Sequence, residues 1–595
     1  MKSFIRYTLA LLPLATVTTA CNDGYLEKFP ETSITEKVFF QSVADLETYS
    51  NSFYSYFDAT YWDDACDNVV YKEESSVYSL MRGERNPSNA GSWSSSWSWV
   101  RTVNFMLNRC DNATGDESEK AHYIGLARCM RGLIYYDLVK RYSDVPWYDR
   151  DLQTTDTEEL YKPQDSRAFV VDKIFEDLEF AAENMLEGSS RTRLQRHTAL
   201  AILARIALHE GTFRKYHPEL KLADADRFLQ KAADAAEELM GMGFSLSTVS
   251  IDGLEPYESL FVSSDLTGNP EMIMVEAYDK TLGRYNNAQK IYAYHGLSRS
   301  LVEDYLVVDG ENTRTFQSLP GHETMTRNEV LENRDPRLRQ TVMWPGFQRA
   351  DQSSPTRPDV TVGGYAQIKS LPRQAGQFGW GNSYNDLILY RYGETLLIYA
   401  EAKAELGTLT QDDLDKSVNL LRRRVGMPSA NLSKWLSEID PVQDARYPNV
   451  SSTQKGAVLE VRRERRVELA CEGLRYNDLM RWGCGKAMEA TPEGMYVPGP
   501  GMYDYTGDGE PDIAFVMPGN EDIISEDDRV KYKLNIYTLN SSSAFALTEG
   551  DHGYIYLVSQ KDKFNFVEPK YYYSPVSQSD INLNPNLVQN PYWAD

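Results

Sequence analysis

Residues 127–139 read Ala127-Arg128-Cys129-Met130-Arg131-Gly132-Leu133-Ile134-Tyr135-Tyr136-Asp137-Leu138-Val139. With Tyr123 upstream, Ala127, Met130, Ile134 and Leu138 step by four, three, four and four, the spacing that aligns apolar side chains along one stripe of an α-helix. Similar steps recur at Val170, Ile174, Leu178, Ala181 and Met185, and at Leu414, Val418, Leu421 and Val425. Further helix-rich windows cover residues 196–213, 224–242, 386–406, 453–472 and 474–488. Helices in adjacent pairs predict a mainly α fold, a tetratricopeptide-like scaffold in which neighbours share one core, here without a strict internal repeat.

Outside these windows the texture changes. Residues 245–385 and 489–570 are rich in Gly, Pro, Asp, Tyr and Trp, with short strand-like runs at 532–539 and 553–558. Long irregular segments carry function more often than packing. The expectation is a single domain over residues 21–595, with its helical scaffold mainly in 35–60, 95–245 and 386–488. A large loop-rich binding face, with a few short strands, is expected mainly in 61–95, 245–385 and 489–570.

Composition narrows the function. The 595-residue chain carries 62 basic and 87 acidic residues, a net charge of −25 that repels phosphate backbones, so no nucleic-acid partner is expected. Apolar residues at 42% and charged residues at 25% describe a folded globular protein rather than a disordered one. Aromatic residues make up 12%, and rings in that number either fill a core or offer flat faces to a ligand.

The N-terminus carries Lys2 and Arg6, then an apolar run through Leu9, Leu11, Leu12, Leu14 and Ala15, then Thr18-Thr19-Ala20-Cys21. This reads as a signal peptide over residues 1–20, too short to span a bilayer core of about 30 Å. Its end resembles a bacterial lipobox, which implies a diacylated Cys21 as the first mature residue; Thr18 and Thr19 depart from the usual aliphatic and small residues. Loss of Lys2 and Arg6 would take the charge to −27. Five cysteines then remain, Cys66, Cys110, Cys129, Cys471 and Cys484, an odd number without CxxC spacing, so at least one is unpaired.

Four segments together resemble the SusD/RagB family of outer-membrane nutrient-binding lipoproteins. The first is Tyr25-Leu26-Glu27-Lys28-Phe29-Pro30 with Ile34-Thr35-Glu36, and the second is residues 127–139 ending in Tyr142-Ser143-Asp144-Val145-Pro146. The third joins Leu389-Tyr390-Arg391-Tyr392 and Glu394 to Arg463-Glu464-Arg465-Arg466-Val467-Glu468-Leu469 and Gly473-Leu474-Arg475-Tyr476-Asn477-Asp478. The fourth closes the chain with Asn584-Pro585-Asn586-Leu587-Val588-Gln589-Asn590-Pro591, and Asn333-Arg334-Asp335-Pro336 adds a further piece. The resemblance implies a cell-surface-facing outer-membrane lipoprotein, held by a lipid anchor, that captures oligo- or polysaccharide and passes it to a SusC-like TonB-dependent transporter without cutting it. Residues 463–468 alternate in sign within two helical turns, which suits ion pairs between packed helices better than catalysis. Residues 333–336 suit an Asx-type turn.

A sugar ring has apolar C–H faces and an equator of hydroxyls, so aromatic planes beside Asp, Asn or Arg are the side chains to look for. Trp62, Asp67, Asn68, Trp93 and Trp97 supply one such group, with core packing the alternative for one of Trp97 and Trp99. Trp380, between Gly379 and Gly381, supplies a second together with Arg391, with an aromatic plug as the alternative. Tyr292, Tyr294 and Trp344 are lesser candidates. Residues 504–512 copy the front of a calcium loop, with Asp504, Thr506, Asp508, Glu510 and Asp512 as ligands, but Phe515 replaces the bidentate Glu. Enzyme signatures fail: His209-Glu210 lacks the second histidine of HExxH, and no GxSxG or Walker loop is present. A secreted all-α glycoside hydrolase and a binder of peptide-derived nutrient are the alternatives, since a hydrolase needs only two suitably placed carboxylates.

Overall fold

The computed structural model describes residues 39–594 apart from 65, 72–74 and 541–543. The expected signal peptide and the expected lipidation site Cys21 lie outside the described residues. Eight helices of at least eight residues form the scaffold among the described residues: α1 (Val43–Ser50), α2 (Ser94–Leu107), α3 (Glu117–Tyr142), α4 (Arg167–Asn184), α5 (Arg196–Tyr216), α6 (Ala225–Met240), α7 (Tyr392–Glu405) and α8 (Lys455–Glu468). Local chemistry sets their ends. Asp116 caps α3 by accepting from the amides of Ser118 and Glu119, and Ser143 ends it at a positive φ of 67°. Ser42 and Asp45 form a capping box on α1.

The apolar stripes meet in sequence order. Helix α2 packs on α3, α3 on α4, α4 on α5, α5 on α6, α6 on α7, and α7 on α8. This is tetratricopeptide-like stacking, and Ala127, Met130, Ile134, Leu138, Ile174, Leu178 and Ala181 are buried in its shared core. At Gly456 the approach is close: a Cβ there would stand 1.9 Å from the Trp435 carbonyl oxygen, so α8 can cross the short helix Leu432–Ser437 only with glycine.

Three expectations shift. Residues 387–391 are a strand paired antiparallel with Met272–Glu276, and the helix begins only at Tyr392. The window through Leu414 and Val425 breaks into two short helices, Gln411–Asp415 and Val418–Arg424, because Ser417 takes a non-helical conformation between them. The strand-like run at 532–539 contains the tail of a helix ending at Tyr532 and then the strand Asn535–Thr538, which runs parallel to Ile513–Val516.

The sign-alternating stretch of α8 is buried and cross-links the scaffold to the loops. Glu464 accepts from Arg337 at 3.0 Å and Arg422 at 2.5 Å, while Glu468 accepts from Arg391 at 2.8 Å, Arg337 at 3.1 Å and Arg424 at 2.5 Å. Burial alone would raise the Glu468 carboxyl, but the three guanidiniums hold it well below the usual carboxylate range. Asp335, in the expected turn, caps the helix Pro336–Thr341 by accepting from the Arg337 amide. Loop strands are tied in by Val69–Tyr71 pairing with His295–Leu297. Among the described residues no helix is long and apolar enough to cross a membrane.

Candidate functional site

The loop face is organised around residues 286–292. Asn286 donates its amide to the Ser383 carbonyl at 2.7 Å and its side chain to the Asn385 carbonyl at 2.9 Å. The side chain of Asn287 accepts from the Gly381 amide at 2.7 Å, which fixes the turn carrying Trp380. Gly381 has φ 64°, a conformation that costs glycine nothing and most other residues strain. Gln377 closes the same loop from beneath by accepting from the Tyr384 amide at 3.0 Å. Trp380 is thereby held outward, 73% exposed on a braced turn.

On the other side of the segment lies Tyr61-Trp62. The two rings meet edge to face at 4.4 Å, and the Lys290 ammonium lies 4.3 Å from the Trp62 ring centre. Gln367 donates to the Tyr61 carbonyl at 2.8 Å, and burial pushes the Tyr61 hydroxyl up to about 12, so it stays a neutral hydrogen-bond donor at any physiological pH. The next residue, Asp63, is the anchor of this loop: buried, it accepts from the amides of Cys471 and Gly473, each at 3.0 Å.

Beneath these rings Ile291, Met343, Phe347, Ala366, Ile368 and Leu371 form a hydrophobic cluster, against which Tyr61, Trp62, Tyr292, Trp344 and Phe378 pack. Arg349 lies over the rings of Tyr292 and Phe378 at 4.6 and 4.8 Å. Trp344 packs edge to face on Phe347 at 5.1 Å and also walls a groove of about 1080 Å³ bounded by residues 253–258, 328–345, 424–425 and Gly507. The face therefore offers an exposed indole, half-buried aromatic edges, and amide, ammonium and guanidinium donors between them. Such a surface suits a ligand with flat apolar faces and many hydroxyls.

The structure brings Trp62 and Trp380 to this face and withdraws other sequence-selected residues into the interior. Asn68, 1% exposed, donates to Asp63 at 2.7 Å and accepts from Arg466 at 2.7 Å. Asp67 binds Arg475 through both carboxylate oxygens at 2.7 Å and Arg466 at 3.1 Å. Burial raises its carboxyl, but the two guanidiniums outweigh that and hold it at about 2. Arg391, 1% exposed, is shared among Glu468, Glu472 and Glu271 at 2.7–3.1 Å. Trp93 is 6% exposed, edge-on to Trp97 at 5.4 Å and Tyr142 at 5.2 Å. Trp97 is half-buried and lines a separate pocket of about 400 Å³ with Tyr148, Leu160 and Leu583, built from α2 and the C-terminal segment rather than from the loop face.

The loop at 504–512 is closed by its own amides. Asp504 accepts from the amides of Gly507 at 2.6 Å and Gly509 at 2.8 Å, Asp512 from those of Tyr505 at 2.9 Å and Thr506 at 2.8 Å, and Asp508 from that of Glu510 at 2.9 Å. Among the described residues no group of three or more His, Cys, Asp or Glu side chains is placed to hold a metal ion. His209-Glu210 is structural too: Glu210 is buried between Arg167 at 2.6 Å and Arg214 at 2.7 Å, and Tyr136 meets His209 at 2.8 Å.

Comparison with known proteins bears on this geometry. The family model described as "SusD family" matches residues 263–593, more than half of the chain. The chain belongs to the SusD family. A second family model, described as "Starch-binding associating with outer membrane", matches residues 25–208. SusD-like protein P38 of Formosa agariphila is 23% identical over 529 residues, covering 82% of this chain and 93% of its own. A solved SusD-like protein from Bacteroides fragilis superposes with a TM-score of 0.66 at 19% identity, over 95% of this chain and 100% of that one. A laminarin-binding SusD-like protein gives a TM-score of 0.56 at 16% identity, over 93% and 99%. The SusD fold accounts for the stacked helices and for the long loops gathered on them. Asn287, Lys290 and Arg349, which brace the aromatic face of this SusD-family chain, lie outside any motif, and nothing in their local sequence distinguishes them.

Proposed function

We propose that this protein binds oligo- or polysaccharide on the face built from Tyr61, Trp62, Lys290 and Trp380, and passes it to a TonB-dependent transporter at the outer membrane. The observation that carries the reading is the exposed, braced indole of Trp380 on the same 286–292 segment that orients Trp62. Membership of a carbohydrate-binding family, a laminarin-binding relative of the same fold and a family model associated with the outer membrane support it. Two acids of the loop segments are engaged, Asp279 by the amides of Thr281 and Leu282 and Asp351 by Arg349, while Asp58 acts on the Tyr61 hydroxyl, so the reducing-end assay below decides between holding a glycan and cutting it. Free carboxylates are what a glycosidase would require.

Two stacked rings contribute about 0.5–1.5 kcal/mol each beyond area burial, so affinity falls in the micromolar to millimolar range, roughly −8 to −4 kcal/mol. A lipid anchor on Cys21 would make that sufficient, since it raises the effective concentration of glycan at a neighbouring pore. Calorimetry against a glycan panel tests the reading. Trp380→Ala and Trp62→Ala are each expected to weaken binding about three- to tenfold, the equivalent of one lost stacking contact, with no release of reducing ends by the wild type. Unchanged affinity in both variants rejects the site, and steady release of reducing ends rejects the binder.

A further inference from the structure

Three arginines at or behind the groove beside Trp344 lack a carboxylate partner. Arg339 is exposed, its guanidinium lies 4.9 Å from the Trp344 ring centre, and among the described residues no carboxylate lies within ion-pair distance of it. Arg334, 7% exposed in the groove wall, spends its N–H groups on the carbonyls of Tyr305, Val330 and Val302 at 2.6–3.1 Å. Arg327, fully buried next to Asn328 of the same wall, donates to the carbonyls of Gly364 and Met343 and to the Asn328 side chain. Carbonyl oxygens satisfy the N–H groups but leave the positive charge uncancelled. Burial accordingly lowers both buried guanidiniums to about 10, still charged at neutral pH.

The opposing charges are few. Glu258 and Asp335 also line the groove, but Arg373 takes the first at 2.6 Å and Arg337 the second at 2.6 Å. Glu255 and Glu332 are exposed at the rim, where water screens them. Asp512, which acts on Arg327, keeps both amide bonds of its own loop, and Glu303 and Asp304, which act on Arg334, are paired with Arg299 and with Arg446 and Arg466. The net charge of −25 does not govern here, because the screening length in physiological salt is about 8 Å.

Resting on the reading of the loop face as a glycan site, we propose that the groove beside Trp344 takes an acidic glycan, placing a uronate carboxylate against Arg339 while the sugar ring lies along Trp344. An arginine stacked on an indole is already oriented for a two-pronged bond to a carboxylate.

The test uses the mature protein, a uronic-acid oligosaccharide and its carboxyl-reduced neutral counterpart of the same length, each titrated calorimetrically at low and high salt. The acidic form is expected to bind about two- to fivefold more tightly than the reduced form, with the preference shrinking in high salt. Arg339→Gln is expected to erase the preference, so that the acidic and reduced forms bind the variant equally. Arg227→Gln, the same charge change on an exposed position of α6, is expected to preserve it. Equal affinities for the two forms, or a preference that survives Arg339→Gln, overturns the inference and leaves the neutral glycan reading standing. Failure of every glycan, acidic or neutral, overturns both.

Discussion

A buried carboxylate in this molecule is defined by its partners, and Asp67 shows how far that can mislead a reading of neighbours in sequence. It follows Trp62 by five positions, yet its partners Arg466 and Arg475 are some 400 residues away along the chain. Its carboxyl titrates near 3.8 when unfolded and about 2 when folded, so the folded state binds the proton less readily. The stabilisation is complete above about pH 4 and is lost as pH falls towards 2, an effect of about 2 kcal/mol. Urea unfolding of wild type and Asp67→Asn across that range is expected to give a steeper pH dependence for the wild type, and parallel curves would refute the assignment. Arg391 was misleading for the same reason: one guanidinium looks alike whether it faces a ligand or three glutamates, and its acids come from two distant segments, Glu271 and the pair Glu468 and Glu472. The exposure of Trp380 was legible because flanking glycines are a local signal.

At the scale of elements, helices were read well because their information is local. Periodicity at 123–138 and 170–185 and capping residues such as Asp116 act over a few positions, and the long helices fell close to the predicted windows. Loops were read poorly because they are held by side chains reaching across the chain, as Asn287 holds Gly381. The acidic turn at 504–512 is the test case. Its sequence copies a calcium loop, but its carboxylates already hold their own amides. Thermal unfolding is therefore expected to give the same midpoint with excess calcium and with EDTA; a clear rise in calcium would show that the loop reopens around the ion.

Across the whole molecule, the five cysteines of the folded region are all buried and unpaired. Burial raises the thiols of Cys66, Cys129, Cys471 and Cys484 and keeps them protonated and inert. Thiol titration of the mature protein purified from membranes is expected to detect none in the native state and five in denaturant, because an acylated Cys21 contributes no free thiol. A sixth would mean that Cys21 is unmodified, and a native-state count above zero would contradict the burial.

The clamp on Asp63 has a consequence for the order in which this protein becomes competent. The loop bearing Tyr61 and Trp62 is pinned by amides at 471 and 473. While the polypeptide emerges from its N-terminal end, the indole is made long before the atoms that orient it. A chain interrupted anywhere short of those positions carries the ring without its brace, so on the proposed reading Trp62 can serve a ligand only in a chain that extends through 473.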